Sequence, residues 1–358
     1  MYQIGRRAFR PDVGRYAAAL FWLSPSLMFF NFMLLTETLF TLLLVAFVLL
    51  TVMLVQTPRV WIALACGATL GLSALTRSVL WPLPIILCPL LTLLIPGTFR
   101  LRIALPALLA LGYLAVIGPW AIRNTRLQGV VTVVDTMGGL NLRMGNYEYT
   151  PDDRMWAAVG LHGEKGWSYE LAQEYPERTL SEGEKDKWAQ SKALEYVRAN
   201  PGITLRRDLI KFADFWGLDR EFIAGVAEGL FAPPRWFAAV ASLAIVAVYV
   251  VVMLAGTAGM WLCAPDRRIH ALLLLPVLVI MGIHTVVFGH SRYHVPLMPI
   301  FGLYAAAMLT GETRMTWERS APRLLAAGAL AMTLVAIWIR QVAFVDAERI
   351  HLLLSRLG

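Results

Sequence analysis

The sequence predicts an all-α multi-pass membrane protein of about nine transmembrane helices, with a small mixed α/β extracytoplasmic domain inserted between helices five and six. Three observations predict it. Hydrophobic residues make up 58% of the 358-residue chain and charged residues only 16%, against about 25% in ordinary soluble domains. The apolar residues gather in runs of roughly 16 to 28, the length a helix needs to cross a ~30 Å hydrocarbon layer. A single long stretch, 121–235, interrupts them with seventeen acidic and fifteen basic residues.

Taken in order, the chain opens with Arg6, Arg7, Arg10 and Arg15. The apolar run behind them has no small-residue cleavage pattern and is followed at once by another, so it reads as a retained span and not a signal peptide. The expected spans are about 16–35, 38–55, 60–76, 79–95 and 101–120, then 236–263, 270–289, 294–310 and 323–339. They divide the chain into a five-helix region (1–120), an outer domain (121–235), a four-helix region (236–340) and an outer tail (341–358). Trp81, Trp120 and Trp236 stand at span ends, where an amphipathic ring has one apolar and one wet side.

Charge sets orientation. With the basic N-terminus in the cytoplasm, the inner loops carry Arg59, Arg100 and Arg102, Arg267 and Arg268, and Arg314, Arg319 and Arg323, as the positive-inside rule asks. The formal charge of +8 lies largely in these loops, so it sets topology and gives no sign of a nucleic-acid partner. The outer side receives Thr36-Glu37, Arg77-Ser78, the 121–235 segment and the loop around His290 to His294. Cys66, Cys88 and Cys263 all fall in apolar runs and read as small buried residues, not a disulfide framework.

Within the outer segment, the β-branched run Val130 to Val134 predicts a strand. Ser181 and Glu184 predict a capping box for a helix over 182–199. Asn200-Pro201-Gly202 ends that helix, because proline cannot continue the hydrogen-bond ladder. The next helix, 202–216, carries Leu205, Leu209, Phe212 and Trp216 on one face. It either lies on the membrane surface or belongs to the outer domain's core.

Candidate site residues follow from misplaced charge. Glu37 has no other charged residue around it from Tyr16 to Gln56. An acid beside hydrocarbon is costly, roughly 2.5 kcal/mol or more at mid-bilayer. Glu37 either marks an outer turn or faces a polar cavity, and a turn needs no acid. Arg77, Arg123 and Arg292 reach the same outer level from distant parts of the chain. Each alone fits headgroup contact. Together they suit phosphate oxygens, which a planar guanidinium can clamp with two parallel bonds. Asn124, Asn141, Asn146 and Tyr293 stand beside them as candidate substrate contacts, although asparagine next to glycine is also ordinary turn chemistry. Gly138, Gly139 and Gly145 read as turns. His290 and His294 are spaced for one helix face, but no neighbouring carboxylate completes a zinc motif. No metal ligands are assigned.

These strings resemble a known family. Pro119-Trp120-Ala121-Ile122-Arg123-Asn124, Gly139-Leu140-Asn141 and Gly145-Asn146 are similar to stretches of the bacterial GT-C class integral-membrane glycosyltransferases, related to aminoarabinose transferases and protein O-mannosyltransferases. Gly71 to Arg77, Asn200-Pro201-Gly202 with Phe215-Trp216, Arg292 to Pro299, and Thr36-Glu37-Thr38 agree in the same order. The resemblance implies inverting transfer of a sugar from a polyprenyl-phosphate donor to a lipid, glycan or protein acceptor on the outer face of the bacterial cytoplasmic membrane. It implies Arg77, Arg123 and Arg292 as phosphate ligands and Glu37 as the group that orients the acceptor or assists the base. It fixes no cofactor and leaves a divalent cation open. The family's first span and first outer loop, with its catalytic acid, precede the string seen here at Gly5 to Phe9, so a truncated, inactive form is one expectation. A non-catalytic protein that binds or flips lipid-linked sugars is the alternative. A transporter is disfavoured, because no paired broken helices and no deep mid-span charge stand out.

Overall fold

The structure is a computed structural model that describes residues 1–33, 35–152, 154–311, 317–347 and 350. The expected inner-loop Arg314 and positions 351–358 of the expected tail lie outside them. The regular secondary structure of the described residues is all helical, and no strand occurs among them. Five helices are long and apolar enough to cross a membrane: Thr36–Gln56, Phe99–Gln128, Arg235–Leu262, Arg267–Val286 and Ala321–Val345. Val60–Thr76 and Leu83–Leu94 are apolar but shorter.

Several expected spans are broken, and proline stands at each break. The 16–35 run forms Pro11–Trp22 and Pro25–Phe32, separated at Leu23-Ser24. The 79–95 run starts with a 3-10 turn, Ser78–Leu80, before Leu83–Leu94. The 294–310 run opens with the 3-10 segment Ser291–Leu297 and becomes α-helical only at Met298. A proline fixes its own backbone and withdraws a donor, so an apolar run that contains one need not be one helix.

Close helix pairs are made by glycine. A methyl group at Gly67 would meet the Leu109 carbonyl at 1.9 Å, and one at Gly112 the Leu64 carbonyl at 2.4 Å. These positions let Val60–Thr76 lie directly on Phe99–Gln128. Gly256 and Gly259 do the same for Arg235–Leu262 against Met298–Leu309. Small residues at such seams give backbone-to-backbone packing in place of a solvent-driven core.

The 121–235 segment corrects the expected mixed α/β domain. Helix Phe99–Gln128 runs well past Trp120 and ends at Gly129, whose φ of 70° places it in the left-handed region that caps helices. Val130–Val134 then has no partner strand. Its polar backbone is met by side chains of the preceding helix: Trp120 Nε1 and Asn124 Nδ2 both donate to the Val134 carbonyl, at 2.8 and 2.9 Å. Gly138 to Gly145 is a helix, Gly138–Gly145, and not a pair of turns. Its first N–H groups donate to Asp186 Oδ1, with Gly139 at 2.7 Å and Leu140 at 3.2 Å. This is a cap supplied by another helix. The expected capping box is present at Ser181 and Glu184, opening Glu182–Ala199. Helix Pro201–Phe215 buries Arg207, Lys211 and Phe215 and exposes Leu205 and Leu209. The expected apolar stripe divides: Leu205 and Leu209 are exposed, whereas Trp216 is buried and Phe212 packs against the core, so neither the membrane-surface nor the core reading holds for the whole face.

Candidate functional site

The site begins with the first turn of Thr36–Gln56. Glu37 is fully buried there, with 0% exposure. Val60–Thr76 runs back to the same level and ends at Arg77, whose extended backbone turns its side chain off the helix line. Arg77 Nη1 donates to Glu37 Oε1 at 2.7 Å. Arg292, on the 3-10 segment between the last spans, donates to the same oxygen through Nε. One carboxylate oxygen therefore holds two guanidinium groups that lie 40 and 255 positions away. The other oxygen, Oε2, is buried and has no partner.

Aromatic rings and backbone order the cations. Arg77 lies over the Tyr293 ring at 4.9 Å. Tyr293 stacks on His284 with centroids 4.4 Å apart. The Arg292 N–H donates to His290 Nδ1 at 3.2 Å, and Glu221 Oε1 stands 3.5 Å from that nitrogen. Burial lowers the Arg292 pKa, but the bond to Glu37 and the nearby charges of Glu37 and Glu221 outweigh it and hold the group above its ordinary value. Burial raises the Tyr293 phenol, which stays protonated despite Arg77 and Arg292 beside it. Burial, with Asp219 adjacent, also raises Glu221.

Two cavities flank the cluster. One, of about 500 Å³, is lined by Arg77 and Tyr293 together with Trp81, Trp120, Asp135 and Asn141. The other, of about 450 Å³, is lined by Glu37, Thr38 and Asn31 among apolar residues that include Trp22, Met28 and Phe30. The structure thus joins Glu37, Arg77, Arg292 and Tyr293, with Asn141 on the cavity wall shared by Arg77 and Tyr293; Arg292 reaches the cluster through Glu37 and lines neither cavity. Arg123, Asn124 and Asn146 stand apart from both cavity walls. Arg123 donates to Asn124 Oδ1 at 3.1 Å and lies over the Trp120 ring at 5.2 Å. Asn124 holds the Val134 carbonyl, and Asn146 is buried with Nδ2 on the Leu142 carbonyl at 2.9 Å. His290 and His294 diverge: His294 Nδ1 meets the Phe215 carbonyl at 2.6 Å. Among the described residues no group of three or more His, Cys, Asp or Glu could hold a metal ion.

Sequence reasoning passed over Asp135. It closes the apolar run Val130–Val134 at the outer level, the same misplaced-acid signal that singled out Glu37. Its Oδ1 accepts from the Met137 N–H at 3.1 Å. The two bonds to Val134 pin the backbone just before it. Trp81 and Trp120, read as interfacial anchors, are also cavity walls.

At neutral pH the cluster of one carboxylate and two guanidinium groups carries a net charge of about +1. It can hold a monoanion, with flat aromatic walls and hydrogen-bonding side chains for whatever is attached to it. Comparison of the chain with known families, curated proteins and solved structures finds no match.

Proposed function

We propose that this chain is a membrane glycosyltransferase that moves a sugar from a polyprenyl-phosphate donor to an acceptor at the outer face of the bacterial cytoplasmic membrane. The observation that carries the reading is the pair of arginines on a single buried carboxylate, one of which, Arg77, lines a cavity with tryptophan, asparagine and aspartate walls. A polyprenyl-phosphate sugar is a phosphodiester with one negative charge, which the net positive cluster matches. Arg77 and Arg292 take its phosphate. Asp135 and Asn141 meet sugar hydroxyls, and Trp81 and Trp120 offer ring faces. The resemblance of the sequence to GT-C transferases supports the same assignment. Nine spans, with the shorter and broken helices counted, an N-terminus in the cytoplasm and a helical outer domain complete it.

In the transfer step the acceptor hydroxyl oxygen attacks the anomeric carbon. The bond from that carbon to the phosphate oxygen breaks, and its electron pair stays on the phosphate. The acceptor proton passes to Glu37 Oε2, the carboxylate oxygen without a partner. Charge follows chemistry: the phosphodiester becomes a phosphomonoester with up to one more negative charge, just as protonation of Glu37 releases two guanidinium groups to meet it. No cofactor enters this step; a divalent cation could add charge at the phosphate.

The second reading is a protein that binds or flips lipid-linked sugars without chemistry. It draws on the two guanidinium groups already seated on Glu37, which engage the carboxylate that the transferase reading uses as proton acceptor. Transfer of radiolabelled sugar in proteoliposomes, with a panel of polyprenyl-phosphate donors, separates the two. Label moved to an acceptor supports the transferase, whereas donor binding without transfer leaves only the second reading.

A further inference from the structure

The apolar cavity on the far side of Glu37 has a ligand chemistry of its own. Buried polar atoms in folded proteins almost always have a partner. Glu37 Oε1 has two and Oε2 has none. An ionised carboxylate only accepts, so the missing partner must bring an O–H or N–H. Thr41, one turn on along the same helix, is committed to the Glu37 carbonyl at 2.7 Å. A phosphodiester has no proton to give at neutral pH and would be repelled.

The walls say what carries that donor. Phe21, Trp22, Leu27, Met28 and Phe30 face the cavity, and besides Glu37 the polar contributions are Asn31, Thr38 and Thr41. A polyhydroxylated sugar or a peptide would leave polar groups unmatched there, at a cost of roughly 1–3 kcal/mol each. Trp22 is 75% exposed and Leu42 62% exposed at the cavity's edge, Leu42 on the long apolar helix Thr36–Gln56. An apolar body can enter past such residues from the side of that helix.

We infer that this cavity binds an amphiphile, a hydrocarbon chain ending in a hydroxyl or amine, with its head on Glu37 Oε2. Naming that occupant the acceptor rests on the transferase reading; the binding does not. On that reading the acceptor is a membrane lipid, and donor and acceptor approach Glu37 from opposite cavities.

The test uses the full chain in phosphatidylcholine nanodiscs with a photoreactive long-chain primary alcohol and its methyl ether. The alcohol is expected to label peptides spanning 21–31 and 37–42 roughly tenfold more than the ether, the ratio one charged hydrogen bond supplies. Thr38→Trp, which fills the cavity from its rim and leaves the ion pairs intact, is expected to abolish that labelling. Glu37→Gln should reduce the preference for alcohol over ether. Equal labelling by alcohol and ether overturns the proposal. So does displacement of the alcohol by unlabelled polyprenyl phosphate, which would make the cavity the carrier chain's berth. Labelling without any sugar transfer would sink the transferase reading and keep this site. Transfer to a soluble acceptor without labelling would do the reverse.

Discussion

Glu37 holds its two guanidinium groups through one oxygen, and this decides what substitutions should do. Glu37→Gln keeps the shape but loses the charge and the proton acceptor. Transfer is expected to fall roughly 100-fold or more, the usual worth of a positioned base, while donor binding is retained. Arg292→Ala removes a cation from the leaving phosphate and should cost transfer roughly 100- to 1000-fold. Wild-type turnover in either variant would remove that residue from the site. Asp135→Asn should act on sugar binding, raising the donor KM about tenfold with a smaller change in kcat. The reverse pattern would assign Asp135 to the chemistry. A further residue tests pH. Asp219 is buried with the Ser26 hydroxyl on its carboxylate, and burial raises its pKa. A raised folded-state pKa means the native state keeps the proton longer than the unfolded chain. The contribution is fully present below the unfolded value of about 3.9 and is lost as pH climbs through the folded one. Asp219→Asn still accepts from Ser26 but does not titrate. Its melting temperature should gain on wild type as pH rises from about 5 to about 8, and parallel profiles would show that Asp219 is not the titrating group.

At the level of elements, the seam between Gly138–Gly145 and Glu182–Ala199 depends on a close approach that only glycine allows. A methyl group at Gly139 would stand 2.0 Å from the Asp186 carbonyl oxygen, and Gly138, next in chain, has open space around it. Gly139→Ala must push Gly138–Gly145 away from Glu182–Ala199 and loosen the bonds from Gly139 and Leu140 to Asp186. Overpacking of this kind typically costs about 1–3 kcal/mol. The melting temperature of the purified protein should drop for Gly139→Ala and hold for Gly138→Ala; equal effects would mean helix propensity, not packing, governs both. Asn141 rides on the same short helix, so Gly139→Ala should weaken donor binding as well.

For the whole molecule, the Glu37 ion pairs join the start of Thr36–Gln56, the end of Val60–Thr76 and the Ser291–Leu297 segment, and the proposed topology puts the loops at Arg59, Arg100 and Arg267 on the opposite face. Single cysteines in a background free of Cys66, Cys88 and Cys263 check the orientation. A membrane-impermeant maleimide added to spheroplasts should label Lys165→Cys and spare Arg100→Cys, with both labelled once membranes are opened. Labelling of both in intact spheroplasts would place the outer domain and the expected inner loops on one side and end the topology. The proposed transfer depends on this arrangement, because on that reading donor and acceptor reach Glu37 from one face of the membrane.

Much of this was legible before any coordinates. Hydropathy and charge deficit mark a helical membrane chain, since only helices satisfy their own backbone in hydrocarbon. A lone acid at Glu37 and arginines at Arg77 and Arg292 stand out because charge there is costly. The capping box at Ser181 is local chemistry, readable within four residues. What the sequence could not decide were contacts across the chain. Val130–Val134 has strand composition, but a strand exists only with a partner, and Trp120 and Asn124 occupy its carbonyl instead. Gly138-Gly139 reads as a turn until Asp186, 47 positions away, caps it as a helix. Arg123 looks as suitable as Arg292, yet only Arg292 reaches Glu37. Local pattern sets period and helix ends; which distant side chains share a carboxylate is set by how the helices pack, and that is a property of the folded whole.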